Sequence, residues 1–233
     1  MPYRRLPNTD QARVRTLKAA VRMMDSDDVY ALAASLKTLT EARNFLLKFE
    51  GAQRYYTECY ERQAEAGKQH RAHVKMARLY VSHFIQVLNL AAVRQEVRRE
   101  HLSLYGLDRK NCSVPDLVSE ASLVEWGRKI IDGERKRLSQ GGSPIYNPAI
   151  AKVRVYYDIF VDSYEKQKNL QALTSRSLEQ LAGMRAEADK LILDIWNQVE
   201  QHYADVMPLQ RRLDLCRQYG IIYYYRTGEE KTV

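Results

Sequence analysis

The sequence contains little of what most catalytic and metal-binding sites require. Cysteine occurs three times in 233 residues, at widely spaced positions and without a Cys-x-x-Cys pair, which argues against a disulfide framework and a zinc knuckle. No nucleophile elbow, phosphate-binding glycine loop or zinc-hydrolase helix motif is present. The sequence therefore predicts a protein without enzymatic activity, and it indicates no cofactor and no metal.

Long apolar stretches are also missing. The segment before Asn8 has no apolar run that would serve as a secretory signal. The longest apolar stretch, Leu79 to Val93, is interrupted by four polar residues and falls short of the roughly 20 residues that a membrane-spanning helix needs. Together with unpaired cysteines, these absences predict a cytoplasmic protein that does not bind membranes.

Helix breakers are scarce, and so are phenylalanine and tryptophan. The chain has 6 prolines and 10 glycines, and none of the prolines lies between residues 38 and 104. Aromatic content comes mostly from 16 tyrosines, against 4 Phe and 2 Trp, and tyrosine favours half-buried seams because its hydroxyl needs a partner. These features predict slender, packed helices.

Residues 1–37 are predicted to form an N-terminal arm and short helices. Residues 3–8 are expected to be extended because Pro2 and Pro7 bias their neighbours away from the helical conformation. A helix capped near Asn8 should run to about Met24, with Val14, Leu17 and Val21 on its apolar side. Asp25–Asp28 should end this helix and cap a short second one that ends near residue 36.

Residues 38–105 carry two apolar seams in steps of three and four, typical of coiled-coil packing. The seams comprise Ala42, Phe45, Phe49, Ala52, Tyr56, Cys59, Gln63 and Ala66, then Val74, Ala77, Val81, Phe84, Leu88 and Ala91. One uninterrupted helix and a hairpin that bends near residues 67–71 both fit this pattern. We favour the hairpin, although Gly67 is a weak breaker.

Residues 106–148 are predicted to form a loop, a connecting helix over 116–139 and a linker over 140–148. The linker is the densest cluster of helix breakers, with Gly141 and Gly142 ending one helix and Asn147-Pro148 starting the next. Exposed Tyr146 and Asn147 would give a binding loop. A linker that only turns the chain is the favoured interpretation.

Residues 149–233 are predicted to form a second hairpin, with a bend between Thr174 and Arg185. After Pro208, a short helix to Gln218 should lead into an extended segment over 220–226, which is rich in isoleucine and tyrosine.

The two hairpins share sequence features that indicate an internal repeat. Tyr60-Glu-Arg-Gln63 matches Tyr164-Glu-Lys-Gln167, and Tyr105-Gly106 matches Tyr219-Gly220. The predicted fold is an all-α antiparallel helical bundle of two long, duplicated hairpins, with shorter helices and a short extended C-terminal segment, in one compact domain.

Several stretches together resemble an uncharacterised helical family of Bacteroidetes-type bacteria. They are Ala77–Asn89, Gly141–Lys152, Leu191–Gln198 and Tyr219–Arg226. The resemblance covers most of the chain and implies a cytoplasmic bacterial protein. It implies no activity, cofactor or partner.

Positive charge is concentrated in the first half of the chain. The net charge is +8, and residues 1–105 hold 18 Lys/Arg against 11 Asp/Glu. A basic stripe lies on one face of the second seam helix, near His70 and His73, and consists of Lys68, Arg71, Lys75 and Arg78, continued by Arg94 and Arg98. Such a stripe could bind nucleic-acid phosphates, but solvated cations beside a seam are the commoner case.

A polar line crosses the same helix. His83, Gln86 and Asn89 interrupt its apolar residues, and the matching stretch of the second hairpin offers Asp194, Asn197 and Glu200. Facing each other in a bundle core, these side chains would form inter-helix hydrogen bonds or, alternatively, hold a metal or small ligand.

Three functional hypotheses follow. The leading hypothesis is a non-enzymatic helical scaffold or interaction protein that binds a protein partner or associates with itself. The second is a nucleic-acid or ribosome-type RNA binder that uses the basic stripe. The third is a bundle whose core holds a metal or small ligand near His83 and Asp194.

Overall fold

The computed structural model of the chain describes residues 2–26 and 32–226 and confirms an all-α fold. Six α-helices account for most of the described residues, together with one 3-10 helix and two short strands. In chain order the elements are β1 (Tyr3–Arg4), α1 (Asp10–Ser26), α2 (Leu36–Val93), the 3-10 helix (Arg99–Tyr105), α3 (Glu120–Ser139), α4 (Ile150–Gly183), α5 (Arg185–His202), α6 (Leu209–Gln218) and β2 (Tyr223–Tyr224).

The chain groups into two compact units, where the sequence predicted one domain. Unit 1 comprises residues 1–59 and 174–233, and unit 2 comprises residues 60–173. Helices α2 and α4 each contribute one part to unit 1 and the other part to unit 2.

Unit 1 is built around α1, the first part of α2, the last part of α4, and α5 and α6. Its core is apolar, and Leu17, Phe49, Ile192 and Trp196 are at most 1% exposed. The apolar side predicted for α1 is the side that is buried. Two bidentate ion pairs join α1 to α5: Arg13 binds Asp189, and Arg185 binds Asp10.

The predicted extended C-terminal segment is confirmed within unit 1. Strand β2 pairs antiparallel with β1, so that Tyr3 lies opposite Tyr224 and Arg4 lies opposite Tyr223. Gly220 precedes β2 with φ of +82° and lies against the backbone of Thr16 in α1, where a Cβ atom would come within 2.9 Å of the Thr16 carbonyl oxygen. Only glycine meets both requirements without strain.

Unit 2 consists of the second part of α2, the 3-10 helix, α3 and the first part of α4. The seam predicted over Val74–Ala91 is buried, as are Leu123, Ile130, Val153 and Phe160. A close approach between α3 and α4 requires Gly127, because a Cβ atom there would lie 2.3 Å from the Tyr157 ring.

The predicted first hairpin is wrong. Helix α2 runs without interruption for 58 residues, from Leu36 to Val93, and Gly67 is helical. The physical reason is that α2 contains no proline, so continuing the helix through Gly67 costs only the lower helix propensity of one glycine, about 1 kcal/mol.

The predicted second hairpin is also wrong. An interruption does occur between Thr174 and Arg185, at Met184, but it is one residue with φ of −83° and ψ of −12°. Backbone hydrogen bonds from Met184 N to Leu181 O and from Ala188 N to Met184 O bridge it. One residue in the helical region cannot reverse the chain, so α4 and α5 do not form a hairpin.

Two other sequence predictions have different outcomes. The short helix expected before residue 36 falls mostly on residues 27–31, which lie outside the described residues, and residues 33–35 are not helical. The linker prediction is confirmed at its start, because α3 ends at Ser139 and Gly141 adopts a left-handed φ of +84°.

The repeat stays a prediction, with one structural parallel. Tyr105 and Tyr219 are both fully buried at the end of a short helix, and Gly106 and Gly220 follow them with φ of +73° and +82°. The sequence match between these two pairs therefore extends to backbone conformation and burial.

Candidate interaction surface

The outward side of α2 in unit 2 carries a regular row of exposed residues. Leu79, His83, Gln86, Leu90 and Val93 follow one another in steps of four and three, and all five are exposed. The three apolar members are 55%, 52% and 52% exposed. At 3.6 residues per turn these five positions span about 80° of the helix circumference. We call this row the α2 face.

The opposite side of the same helix forms the core of unit 2. Ala77, Val81, Phe84 and Leu88 are fully buried there. Helix α2 is therefore apolar on two sides, and residues 2–26 and 32–226 cover only one of them. A helix of a soluble bundle normally needs one apolar stripe, so the second one requires an explanation.

Exposed cations lie at both ends of the α2 face. Lys68 and Lys75 fall within the same arc of the helix, Arg71 borders it, and Arg94 and Arg98 follow its other end. Lys68 forms an exposed ion pair with Glu65, with 3.1 Å between Nζ and Oε2. Among residues 2–26 and 32–226, no side-chain partner occurs for Arg71, Lys75, Arg94 or Arg98.

Within the predicted basic stripe, Arg78 forms hydrogen bonds to the protein's own backbone. Its guanidinium donates to the carbonyl oxygens of Leu117 and Val118, both at 2.9 Å. These two hydrogen bonds hold the segment before α3 against α2. Arg78 is therefore not available to a phosphate in this structure.

The predicted polar line is divided between surface and core. His83 and Gln86 are exposed, whereas Asn89 is buried and donates from Nδ2 to Cys112 O at 2.9 Å. The expectation that all three point into a bundle core is therefore wrong for His83 and Gln86. The reason is their helical phase, which is that of Leu79 and Leu90, not that of Phe84 and Leu88.

The matching residues predicted from the second hairpin, Asp194 and Asn197, already form hydrogen bonds within unit 1. Asp194 is exposed and accepts hydrogen bonds from Thr38 Oγ1 at 3.3 Å and Gln198 Nε2 at 3.1 Å. Asn197 is exposed and accepts from Arg4. Neither unit by itself assembles the predicted ligand site, and the described residues contain no cluster of three His, Cys, Asp or Glu with metal-binding geometry.

His70 and His73 line a cavity of about 270 Å³ between α2 and α4 of unit 2. The His70 ring is buried, with Nδ1 at 2.8 Å from Ser163 Oγ and Nε2 at 3.1 Å from Glu120 Oε1. Although a serine, a histidine and a carboxylate meet here, Ser163 Oγ already donates to the carbonyl oxygen of Phe160 at 2.8 Å. Because a carbonyl oxygen can only accept, the bond to Phe160 uses the hydroxyl proton of Ser163, and His70 Nδ1 then meets Ser163 as a donor and not as its base.

A groove of about 560 Å³ between α3 and α4 is lined by several charged side chains. Arg128 and Arg135 share one partner, Asp132, and Arg154 Nε lies 3.5 Å from Asp158 Oδ2. Three arginines therefore face two aspartates, and one positive charge is in excess among the residues that line the groove.

A buried ionic cluster in unit 2 was not predicted from the sequence. Glu134 and Arg137 of α3 are 0% and 2% exposed and form an ion pair of 2.8 Å between Oε1 and Nη2. Tyr105 donates its hydroxyl proton to Glu134 and accepts from Arg137 Nε at 2.7 Å. The i,i+3 spacing is visible in the sequence, but the basic last turn of α3 suggests solvent exposure.

The cluster also fixes the linker. Ile145 N donates to Glu134 Oε1 at 3.3 Å, and Gly142 lies so close to Arg137 that a Cβ atom would be 2.8 Å from Nη1. Burial raises the pKa of Tyr105 well above its ordinary value, and the hydrogen bond to the Glu134 carboxylate raises it further. The role of these groups is structural, since they hold residues 140–148 on the end of α3.

The residues of the linker differ in their exposure to solvent. Ile145 is buried, whereas Tyr146 is 79% exposed and Asn147 is exposed. The structure is therefore consistent with the favoured turn interpretation, and the binding role of Tyr146 and Asn147 stays a prediction.

The cysteines carry no reactive signature. Cys59 and Cys216 are buried and Cys112 is exposed, and none forms a disulfide. Burial raises the pKa of Cys216, which disfavours the thiolate that reactive cysteines need.

No family model, curated protein or solved structure matches the chain, so the family resemblance stays a prediction. Within the described residues, one helix, α2, contains an 18-residue window with a mean hydropathy of 1.2, which meets the length and composition of a membrane span. That window is 44% buried, and the core helix of a soluble bundle has the same properties.

Proposed function

We propose that this protein is a non-enzymatic helical interaction protein that binds a protein partner through the α2 face. The observation that supports this most directly is the second apolar row on α2, with Leu79, Leu90 and Val93 each about half exposed. Exposed apolar residues at heptad spacing are the pattern through which helices associate with one another. The cytoplasm, as predicted from the sequence, is the proposed location.

Photo-crosslinking in native cells tests this function. A photo-crosslinking amino acid at position 86 or 90 is expected to yield a discrete protein adduct. The matched control is position 47 on the same helix, because Leu47 is 65% exposed in unit 1 and lies outside the α2 face. Equal labelling from position 47, or no adduct from either position on the face, would reject the proposal.

Nucleic-acid binding is the second candidate. It is supported by the exposed cations Lys68, Arg71 and Lys75, although Arg78 is occupied and Glu65 compensates part of the charge. Affinity for a single-stranded RNA oligonucleotide should then fall steeply with salt, and charge reversal at Arg71 and Lys75 should flatten the slope. A salt-independent affinity, or one that the reversal does not change, would exclude this candidate.

A further inference from the structure

We propose that the partner of the α2 face is an acidic amphipathic helix of another protein. This rests on the proposed function and adds the chemistry of the partner. The partner helix places apolar side chains against Leu79, Leu90 and Val93. It places carboxylates against the cations at the two ends of the face.

The spacing of the α2 face selects a helix as the occupant. Its residues follow one another by four and three, which is the spacing of a knobs-into-holes seam and is narrower than a general apolar side. The row ends in Leu79 on one side and in Leu90 and Val93 on the other. A second helix laid along it would therefore meet an apolar contact at each end.

The centre of the row argues against a membrane surface. His83 and Gln86 lie between the apolar residues and are exposed. A helix that lies on a lipid surface buries a broad apolar side, and these two side chains would lose their water there. A helical partner can instead hydrogen-bond to them, as polar residues within coiled-coil seams do to fix register.

The charges at the ends specify an acidic partner. Lys68, Arg71 and Lys75 precede the row, and only Lys68 has a carboxylate partner among the described residues. Arg94, Arg98 and Arg99 follow it, together with the exposed carboxylates of Glu96 and Glu100, so this end keeps one positive charge in excess. Cations at both ends attract a helix that carries carboxylates near both of its ends.

The same charges argue against a second copy of this chain. In a parallel pair Lys75 would lie opposite Lys75. In an antiparallel pair centred on Gln86, Lys75 of one copy would lie just beyond Val93 of the other, at the end of α2 that carries Arg94, Arg98 and Arg99. Both arrangements bring like charges together, which is unfavourable across a helical interface.

Designed peptides test the chemistry of the partner directly. The probe is a fluorescent helix of roughly four heptads with leucine at the seam positions and glutamate at both ends. Its counterpart carries lysine in place of every glutamate. Fluorescence anisotropy with the full-length protein should give at least about tenfold tighter binding for the acidic peptide, a difference of about 1.4 kcal/mol.

Variants of the face provide the second arm. The triple change Leu79→Ser, Leu90→Ser, Val93→Ser should abolish binding of the acidic peptide, because it removes every apolar contact of the row. The control is Leu47→Ser, Val155→Ser, Leu193→Ser, which removes three exposed apolar side chains elsewhere and should leave binding unchanged. Urea unfolding of both variants shows whether either has lost its fold.

Each alternative outcome overturns the proposal in a distinct way. Equal binding of the acidic and basic peptides, or binding that survives the triple change, rejects an acidic helix at this face. Sedimentation with phosphatidylserine vesicles that the triple change abolishes identifies a membrane instead. Dimerisation in analytical ultracentrifugation that the triple change abolishes identifies a second copy. Crosslinks from position 86 or 90 without acidic-peptide binding would leave the interaction function standing and reject only this partner chemistry.

Discussion

Among single residues, Glu134 and Arg137 have the largest consequences for stability. Both are buried, and each is satisfied by the other and by Tyr105. A buried ion pair is not necessarily stabilising relative to apolar residues of the same size. Loss of one member, however, leaves the other charge in the interior without a partner.

We therefore expect Glu134→Ala to lower the free energy of unfolding by about 3–5 kcal/mol, because it leaves the Arg137 guanidinium buried and unpaired. The matched control on the same helix is Glu125→Ala, whose exposed pair with Lys129 should contribute only about 0–1 kcal/mol. Urea unfolding of both variants measures the difference. Similar losses of unfolding free energy in the two variants would contradict a large cost of leaving Arg137 buried and unpaired.

Single-residue roles were the least predictable from the sequence. Arg78 was placed in a binding stripe but donates to two backbone carbonyl groups. His83 and Gln86 were placed in the core but are exposed. Both errors have the same origin, because a seam defines the covered side of a helix only when the packing elements are known, and residues 107–119 have no periodic pattern.

Among the elements, α2 shows most clearly what local sequence patterns can predict and what they cannot. Its second seam is buried throughout, whereas the first is buried only at Ala42, Phe45, Phe49 and Cys59 and is half-buried at its other members. The bend predicted between the two seams is wrong, because α2 is continuous. A single glycine permits a turn without requiring one, and the deciding factor is whether packing on both sides of it favours a straight helix.

The sign of a stability change at Gly67 distinguishes a helix from a turn. Gly67→Ala should stabilise the protein by about 0.5–1 kcal/mol, because alanine is the better helix former, and the nearest atom to the new Cβ, Gln167 Nε2, lies at 3.4 Å. The control is Gly106→Ala, which meets its nearest atom at the same 3.4 Å but has φ of +73°. It should destabilise by about 1–2 kcal/mol. A destabilising Gly67→Ala in thermal unfolding would contradict the continuous helix.

At the scale of the molecule, the described residues form two hydrophobic cores that share no residue. Leu17, Ile192 and Trp196 belong to the core of unit 1, whereas Phe84 and Ile130 belong to that of unit 2. The two cores are linked through α2 and α4, each of which contributes to both units. Cooperative regions of a protein can open separately when each has its own core.

We expect the two units to respond separately to a core cavity. Ile192→Ala in unit 1 and Ile130→Ala in unit 2 each remove a fully buried side chain and should cost about 2–5 kcal/mol. Native-state hydrogen exchange should show faster exchange in the core helices of the altered unit and little change in the other. Equal acceleration in both units from either variant would indicate a single cooperative fold.

The sequence by itself determined the all-α class, the buried seams, the end of α3 at the glycine pair and the extended C-terminal segment. Each of these depends on local chemistry: helical periodicity, left-handed glycine, and isoleucine and tyrosine in a short run. The Gln140–Pro148 linker, the most conspicuous break in the sequence, is held by Glu134 and Arg137, which the sequence did not single out. Only the tertiary structure decided that α2 is continuous, that two cores form and that the row from Leu79 to Val93 is left uncovered. These outcomes depend on which distant elements pack on each side of a helix, and no local pattern contains that information.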